Sequence, residues 1–217
     1  MKASKEQAKK LAYLSSDCSF LLTHLIRQKP DEAKRRLKKI LAIGGGTPIL
    51  VAGEVGWYAI CSGANCFNPS TATFISITIP KAVCFTESTL AGLKAHRDVF
   101  KTNYGLAFDR DFLFSKGANP CLNIRSDIFR TSIKYKSESF DRYIYNFIPK
   151  ILHPFVNIIS EAFDATHERE WRYSGDLCFK IPEILFVFCP ENDFQEFSKI
   201  QQKGKPVLFD LKWLDRI

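Results

Sequence analysis

The apolar stretches of this chain are short and punctuated: SFLLTHLI (19–26), TFISITIPKAVCF (73–85), EILFVFC (183–189) and PVLFDLKWL (206–214). Runs of this length suit strands better than amphipathic helices, and none approaches the roughly 18 consecutive apolar residues that cross a bilayer. Between them lie helical patterns. SKEQAKKLAYLSS (4–16) reads as a short helix, and DEAKRRLKKILAIGGG (31–46) as a helix with acids in its first turn and a stop at Gly44. STLAGLKAHRDVF (88–100) is an amphipathic helix capped by Ser88 or Thr89, and ENDFQEFSKIQQ (191–202) is another.

The remaining segments are assigned from their local patterns. TFISITIPKAVCFTES (73–88) gives one or two strands broken at Pro80. YGLAFDRDFLFSKGANPCLNIR (104–125) reads as strand, turn at Lys116-Gly117, strand, and residues 136–165 read as helical around SFDRYIYNFIPKIL. REWRYSGDLCFKI (169–181) has the form of a hairpin turning at Ser174-Gly175. Strands and helices mix without a βαβ repeat, which points to an α+β fold with antiparallel sheets. With 217 residues, 46% hydrophobic, and no linker or internal repeat, the chain reads as one domain, 1–217. Its parts are a basic N-terminal section (1–43) and an insert (44–75).

The N-terminus has lysines but no apolar core behind them, so it does not read as a signal peptide. The seven cysteines are odd in number and sit mostly in apolar runs such as AVCF and FVFC, where a reduced thiol acts as a small hydrophobe. That usage fits a reducing cytoplasm. Cys61 and Cys66 form a lone C-x4-C without a second pair, so no metal is expected.

Charge is uneven. Residues 1–40 hold 11 Lys/Arg against 4 Asp/Glu (net +7), while the rest holds 20 against 19 (net +1). Lys34, Arg35, Lys38 and Lys39 cover most of the helix surface outside its apolar stripe of Ala33, Leu37, Ile40 and Leu41. A basic face of this kind suits a polyanion such as nucleic acid, or is a solvated helix surface. There is no P-loop, no G-x-G-x-x-G, no H-E-x-x-H and no G-x-S-x-G, which excludes the common nucleotide-binding, metalloprotease and hydrolase signatures.

The sequence HEREWRY (167–173) crowds two carboxylates, two arginines and a tryptophan between apolar segments. As a strand, alternation puts Glu168, Glu170 and Arg172 on one face and Arg169 and Trp171 on the other. Two carboxylates and an arginine would then face a cleft, with Trp171 in the core and Glu168 able to pair with Arg172. A salt-bridged edge strand has the same pattern, just as His24 on an apolar strand also reads as a core histidine.

Three segments together resemble a known family. LLTHLI (21–26), ahead of a basic helix ending in Gly, is similar to the opening of several bacterial toxins. The block IPKAVCFTESTLAGLKAHRDVFKTNYGLAFDRDFLFSKGANPCLNI (79–124) resembles the central part of AbiGi-like abortive phage-infection proteins, and EREWR (168–172) their closing E-x-E-W-R. They cover most of the chain apart from 44–75 and the tail. Proteins with such a His strand, aromatic strand and late Glu resemble ADP-ribosyltransferases, including DarT-like nucleic-acid modifiers and mRNA-modifying toxins of toxin–antitoxin–chaperone systems.

The resemblance implies two packed antiparallel sheets with a cleft for NAD as co-substrate. His24, with Thr23 beside it, would bind a ribose, and Phe85 and Thr86 would lie by the nicotinamide. Tyr58, Tyr104 and Arg110 complete the implied NAD set, although both tyrosines also read as core aromatics. Glu170 would be the catalytic carboxylate and Glu168 would orient the acceptor. Breaking the nicotinamide–ribose bond builds positive charge on the sugar, which a carboxylate stabilises as in glycosidases. The expectation is a phage-defence toxin that modifies RNA in preference to DNA, restrained by a cognate antitoxin, with a chaperone as a further candidate partner and no membrane partner. Trp57, Tyr58 and Phe67 could stack a base. A non-enzymatic antitoxin or nucleic-acid-binding partner, or an NAD glycohydrolase, are the alternatives.

Overall fold

A computed structural model describes residues 19–57, 65–136, 141–162, 166–201 and 206–216. The expected helix at 4–16, Tyr58 and Cys61 lie outside these residues. The architecture is α+β. Its centre is an eight-stranded sheet of β1 (Leu21–Leu25), β2 (Gly53–Glu54), β3 (Lys81–Glu87), β4 (Gly105–Asp109), β5 (Asn119–Pro120), β6 (Glu170–Ser174), β7 (Ile184–Phe188) and β8 (Val207–Phe209). The order is β8-β7-β4-β1-β3-β6-β5, with β2 also pairing with β3. Neighbours run antiparallel except β7 and β8, which are parallel. The other described strands form four two-stranded pairs, so the strands gather around one large sheet in place of two.

That sheet is nonetheless divided. β1 pairs with β4 along all of Leu21–Leu25, and β3 pairs with β6 from Glu170 to Ser174. Between β1 and β3 only Leu22↔Glu87 and Thr23↔Thr86 are in register. Two four-stranded halves thus meet at a seam two pairs long.

Helix α1 (Pro30–Ile40) starts on Pro30, which lacks the N–H that a first turn leaves unpaired anyway. Asp31 and Glu32 oppose the positive end of the dipole, while Lys38 and Lys39 oppose the negative end. Its stripe of Ala33, Leu37 and Ile40 joins Leu22, Phe85, Leu106, Phe108 and Val187 in the main core. Regular helix ends at Ile40, and Gly44, with φ +109°, belongs to the turn beyond. Helix α2 (Leu90–Phe100) is capped by the Thr89 hydroxyl, which accepts from the Gly92 N–H at 3.1 Å. Leu93 packs with Ala107, Phe188, Leu211 and Leu214 on the other face of the sheet. β4 is therefore covered on both sides, and Leu106, Ala107 and Phe108 are all fully buried without alternation. Beside it the β1 backbone approaches so closely that a Cβ on Gly105 would lie 2.5 Å from the His24 carbonyl oxygen.

Several segments fold differently from the pattern-based assignment. DFLFS belongs to helix α3 (Arg110–Lys116), because the Asp109 carboxylate caps it on the Phe112 N–H at 2.9 Å and Gly117, at φ +108°, ends it. Residues 142–159 contain no α-helix: a two-residue strand, 3-10 turns at Ile144–Phe147 and Lys150–Phe155, and the strand Val156–Ile159 take its place. Pro149 and Pro154 lack the N–H a continuous helix needs. Leu177–Cys178 pairs with Ile49–Leu50 instead of folding back on β6, so the Ser174-Gly175 hairpin does not form. Within the insert at 44–75, β2 pairs with β3 in the main sheet. No described helix is long and apolar enough to cross a membrane.

Candidate active site

Past Thr23, β1 turns away from β3, and the gap is a cavity of about 430 Å³. It is lined from one side by residues 23–28 and from the other by Cys84, Phe85 and Thr86, with Glu168 and Glu170 at its far wall. Of the residues implied by the resemblance, Thr23, His24, Phe85, Thr86, Glu168 and Glu170 all line it, although they come from three separate parts of the chain.

His24 sits where the ladder stops. The Cys84 carbonyl, left without a β1 partner, accepts a hydrogen bond from His24 Nδ1 at 2.9 Å. A carbonyl cannot donate, so Nδ1 carries the proton and Nε2 of the neutral ring is an acceptor. Burial lowers the imidazole pKa, the Cys84 bond opposes this in part, and the charges of Arg36 and Arg27 lower it further. The Phe85 ring packs edge-on against His24 with centroids 6.0 Å apart. Thr23 has a structural part, its buried hydroxyl donating to the Thr86 carbonyl (3.2 Å) and sharing a 2.9 Å bond with the Ser88 hydroxyl.

Glu170 opens β6 opposite Thr86 and is held from behind. Arg172 Nε donates to its Oε1 at 2.9 Å and an Arg172 terminal nitrogen to its Oε2 at 3.1 Å, while the Asn157 amide donates to Oε2 at 2.7 Å. Burial raises the carboxyl pKa, but the Arg172 and Asn157 hydrogen bonds and the guanidinium charge together carry it below the ordinary range. Glu170 is therefore an ionised, oriented carboxylate at neutral pH. Arg172 is only 5% exposed, and its other N–H groups donate to the Pro154 and Val156 carbonyls and to Asn157 Oδ1. All five guanidinium donors are satisfied. Arg172 thus backs Glu170 from within the protein instead of facing the cleft.

Glu168 lies in a 3-10 turn (Thr166–Glu168), not on the strand, and Arg169 at φ +43° separates it from Glu170. The simple alternation that would pair Glu168 with Arg172 fails there. Glu168 binds Arg27 at 2.9 Å instead, and that guanidinium stacks 3.7 Å from the Phe100 ring centroid and reaches His96 Nε2 at 2.8 Å. Trp171 packs against the main core as expected, its indole N–H donating to Glu87 at 3.1 Å.

Other expected contributors lie elsewhere. Tyr104 is a core residue whose hydroxyl donates to Asp193 at 2.5 Å, outside the cavity lining. Arg110 donates to the Ser19 carbonyl at 3.2 Å and lies 3.7 Å from Glu87, also outside the cavity lining. Trp57 is 2% exposed and packs edge-on against Phe129, so it presents no face to a base. Phe67 is engaged with Phe74, Tyr135 and Phe147. On α1, Lys34 is bound to Asp193 (2.8 Å) and Glu196 (2.5 Å), and Lys38 to Glu196. Only Arg35 and Lys39 of the four expected nucleic-acid contacts lack an ion pair among the described residues, and Arg36, not anticipated, joins them. Arg27, His96 and Asn157 were likewise not anticipated, because each reaches the cavity or Glu170 through tertiary packing.

Cys84 and Cys121 flank the Glu170–Arg172 pair. Burial pushes both thiols up to about 12, with the Glu170 charge adding to it, so neither is a thiolate nucleophile at neutral pH. Comparison of the chain with protein-family models, curated proteins and solved structures finds no match.

The His24 environment has a measurable consequence. A folded pKa below the unfolded value of about 6.5 means that the unfolded chain binds more protons just beneath that pH. Stability therefore falls as pH drops from about 6.5 toward the lower folded value. His153, lowered by burial, contributes with the same sign. Denaturant titrations between pH 7 and 5 should show this decline, and His24→Gln should make it shallower. An unchanged slope in the variant would show that the ring is not held neutral.

Proposed function

We propose that the chain is an NAD-dependent ADP-ribosyltransferase that transfers ADP-ribose to a nucleic-acid acceptor, RNA in preference to DNA, as the toxin of a phage-defence module. The observation that carries the reading is the convergence of His24, Phe85, Thr86 and Glu170 on one cavity at the seam of the sheet. The residues suit the ligand. A neutral imidazole acceptor and a fixed carboxylate match ribose hydroxyls, and the adjoining cavity of about 540 Å³ shares His24, Gln28 and Arg36 and adds further cations for phosphates.

NAD supplies a ribose already bonded to a good leaving group. Glu170, ionised and aimed from behind, binds the ribose hydroxyl and stabilises the positive charge that develops as the nicotinamide departs with the bonding electrons. His24 accepts from a ribose hydroxyl through Nε2, while Phe85 backs the imidazole. Glu168, on the turn beside the cavity, orients the acceptor and takes up its proton, though it must then exchange its contact with Arg27 for one with the acceptor. An antitoxin would act by covering this opening.

The experiment is to incubate the purified chain with NAD labelled in the adenylate and to follow nicotinamide release alongside label in separate protein, RNA and DNA pools. Release with label in RNA is expected. Release without transfer would make the chain a glycohydrolase, and no release would leave the non-enzymatic antitoxin or binding-partner reading.

A further inference from the structure

Helix α1 carries five consecutive or near-consecutive cations, and the fold treats them in two ways. Lys34 and Lys38 are neutralised by Asp193 and Glu196 at the C-terminal end of the chain. Arg35, Arg36 and Lys39 are exposed and line the 540 Å³ cavity together with Gln28 and Glu32. Glu32 makes no ion pair with them among the described residues. Lys39 faces Arg35 at i+4 and Arg36 at i+3, like-charge spacings that are unfavourable on an α-helix. On the neighbouring face the lysines are ion-paired with Asp193 and Glu196, whereas the acid lining this cavity, Glu32, leaves the three cations without an ion pair among the described residues. Moreover, His24, Gln28 and Arg36 belong to both cavities, so the cationic surface continues into the one that holds Glu170.

We infer that Arg35, Arg36 and Lys39 form a phosphate-binding wall, which holds the phosphate groups of a nucleotide ligand whose sugar lies against His24. The location relative to the reacting sugar rests on the function proposed above, whereas the binding itself does not depend on turnover. Guanidinium groups suit the recognition because their planar donors can engage two phosphate oxygens at once. The phosphates can be those of a free nucleotide or of a polynucleotide backbone, and the test separates these sources.

ADP and an eight-nucleotide single-stranded RNA serve as probes, with binding measured by calorimetry at several salt concentrations. The proteins compared are the full chain, R36A/K39A and K34A/K38A. None of these side chains lies in the core, and thermal melting of each variant confirms that it is folded. ADP affinity should fall about tenfold or more in R36A/K39A, as expected for lost hydrogen bonds to charged groups, and change less than about twofold in K34A/K38A. The salt dependence of ADP binding should also flatten in R36A/K39A. If only RNA affinity falls in that variant, the wall serves a polynucleotide. The inference is overturned if neither probe binds the full chain, if neither responds in R36A/K39A, or if K34A/K38A loses as much. ADP binding without NAD cleavage would remove the enzyme reading and keep the wall, whereas cleavage with unaltered ADP affinity would do the reverse.

Discussion

Glu170→Gln is expected to lower nicotinamide release from NAD by at least about a hundredfold, the usual effect of removing one preorganised group that stabilises transition-state charge. The substitution keeps the shape of the side chain and an acceptor oxygen, so ligand binding through His24 and the phosphate wall persists. It does not leave stability untouched, as it would for a carboxylate merely facing solvent. Glu170 is the counter-charge of a guanidinium that is 5% exposed, and the neutral amide leaves that charge less compensated. A loss on the order of 1–3 kcal/mol is expected, and protein concentration and temperature must be set with that in mind. The pH dependence follows from the lowered carboxyl pKa. A carboxylate with a depressed folded pKa adds stability that is fully present above its unfolded value near 4.3 and is lost as pH falls through the folded one. The parent chain should therefore show a steeper acid limb than Glu170→Gln. Wild-type turnover and toxicity in a folded variant would reduce the Glu170 cluster to a structural ion pair and end the enzyme reading.

Arg172→Ala should be the most destabilising single change at the site. It removes five hydrogen bonds, strands the Glu170 carboxylate in a largely buried position and takes the guanidinium donors away from the Pro154 and Val156 carbonyls. Breaking a buried pair from one side typically costs about 3–5 kcal/mol, which for a chain of this size lowers the melting temperature by roughly 6–20 °C. Arg172→Ala with Glu170→Gln should lose less than the two single effects added together, because the orphaned charge is then gone. Additive losses, or a loss below about 1 kcal/mol for Arg172→Ala alone, would contradict the clamp.

The elements that were legible in the sequence carry their own punctuation. SFLLTHLI and EILFVFC are apolar runs of strand length, Pro80 separates strands at 73–76 and 81–87, and Pro30 with Asp31 and Glu32 opens α1. The consecutive apolar residues Phe112, Leu113 and Phe114 imitate a buried strand, and only the Asp109 and Gly117 caps betray the helix between them. Residues 142–159 hold no glycine to mark a break, yet Pro149 and Pro154 fall too close together for an α-helix to survive. The turn dipeptide Ser174-Gly175 fixes a change of direction but not the partner, and Ile49–Leu50 takes the strand that follows. At the site, His24 and the EREWR carboxylates stand out by residue type. Asn157 does not, since an asparagine in the run FVNIIS acquires its part only when the 156–159 strand is brought behind β6. The pairing of Lys34 with Asp193 spans 159 positions and has no local signal at all.

The two-pair seam also sets how the molecule loses its structure. The longest ladder inside each half, β1–β4 in one and β3–β6 in the other, holds five residue pairs, while between the halves only Leu22↔Glu87 and Thr23↔Thr86 are in register. A sheet joined so narrowly has a built-in boundary between cooperative units. His24 belongs to one unit and Glu170 to the other, so their separation depends on side-chain packing more than on the backbone ladder. In native-state hydrogen exchange, amides at the joint should exchange through smaller openings than those of β4 or the middle of β6. The cavity would then come apart under mild denaturant while both strand systems persist.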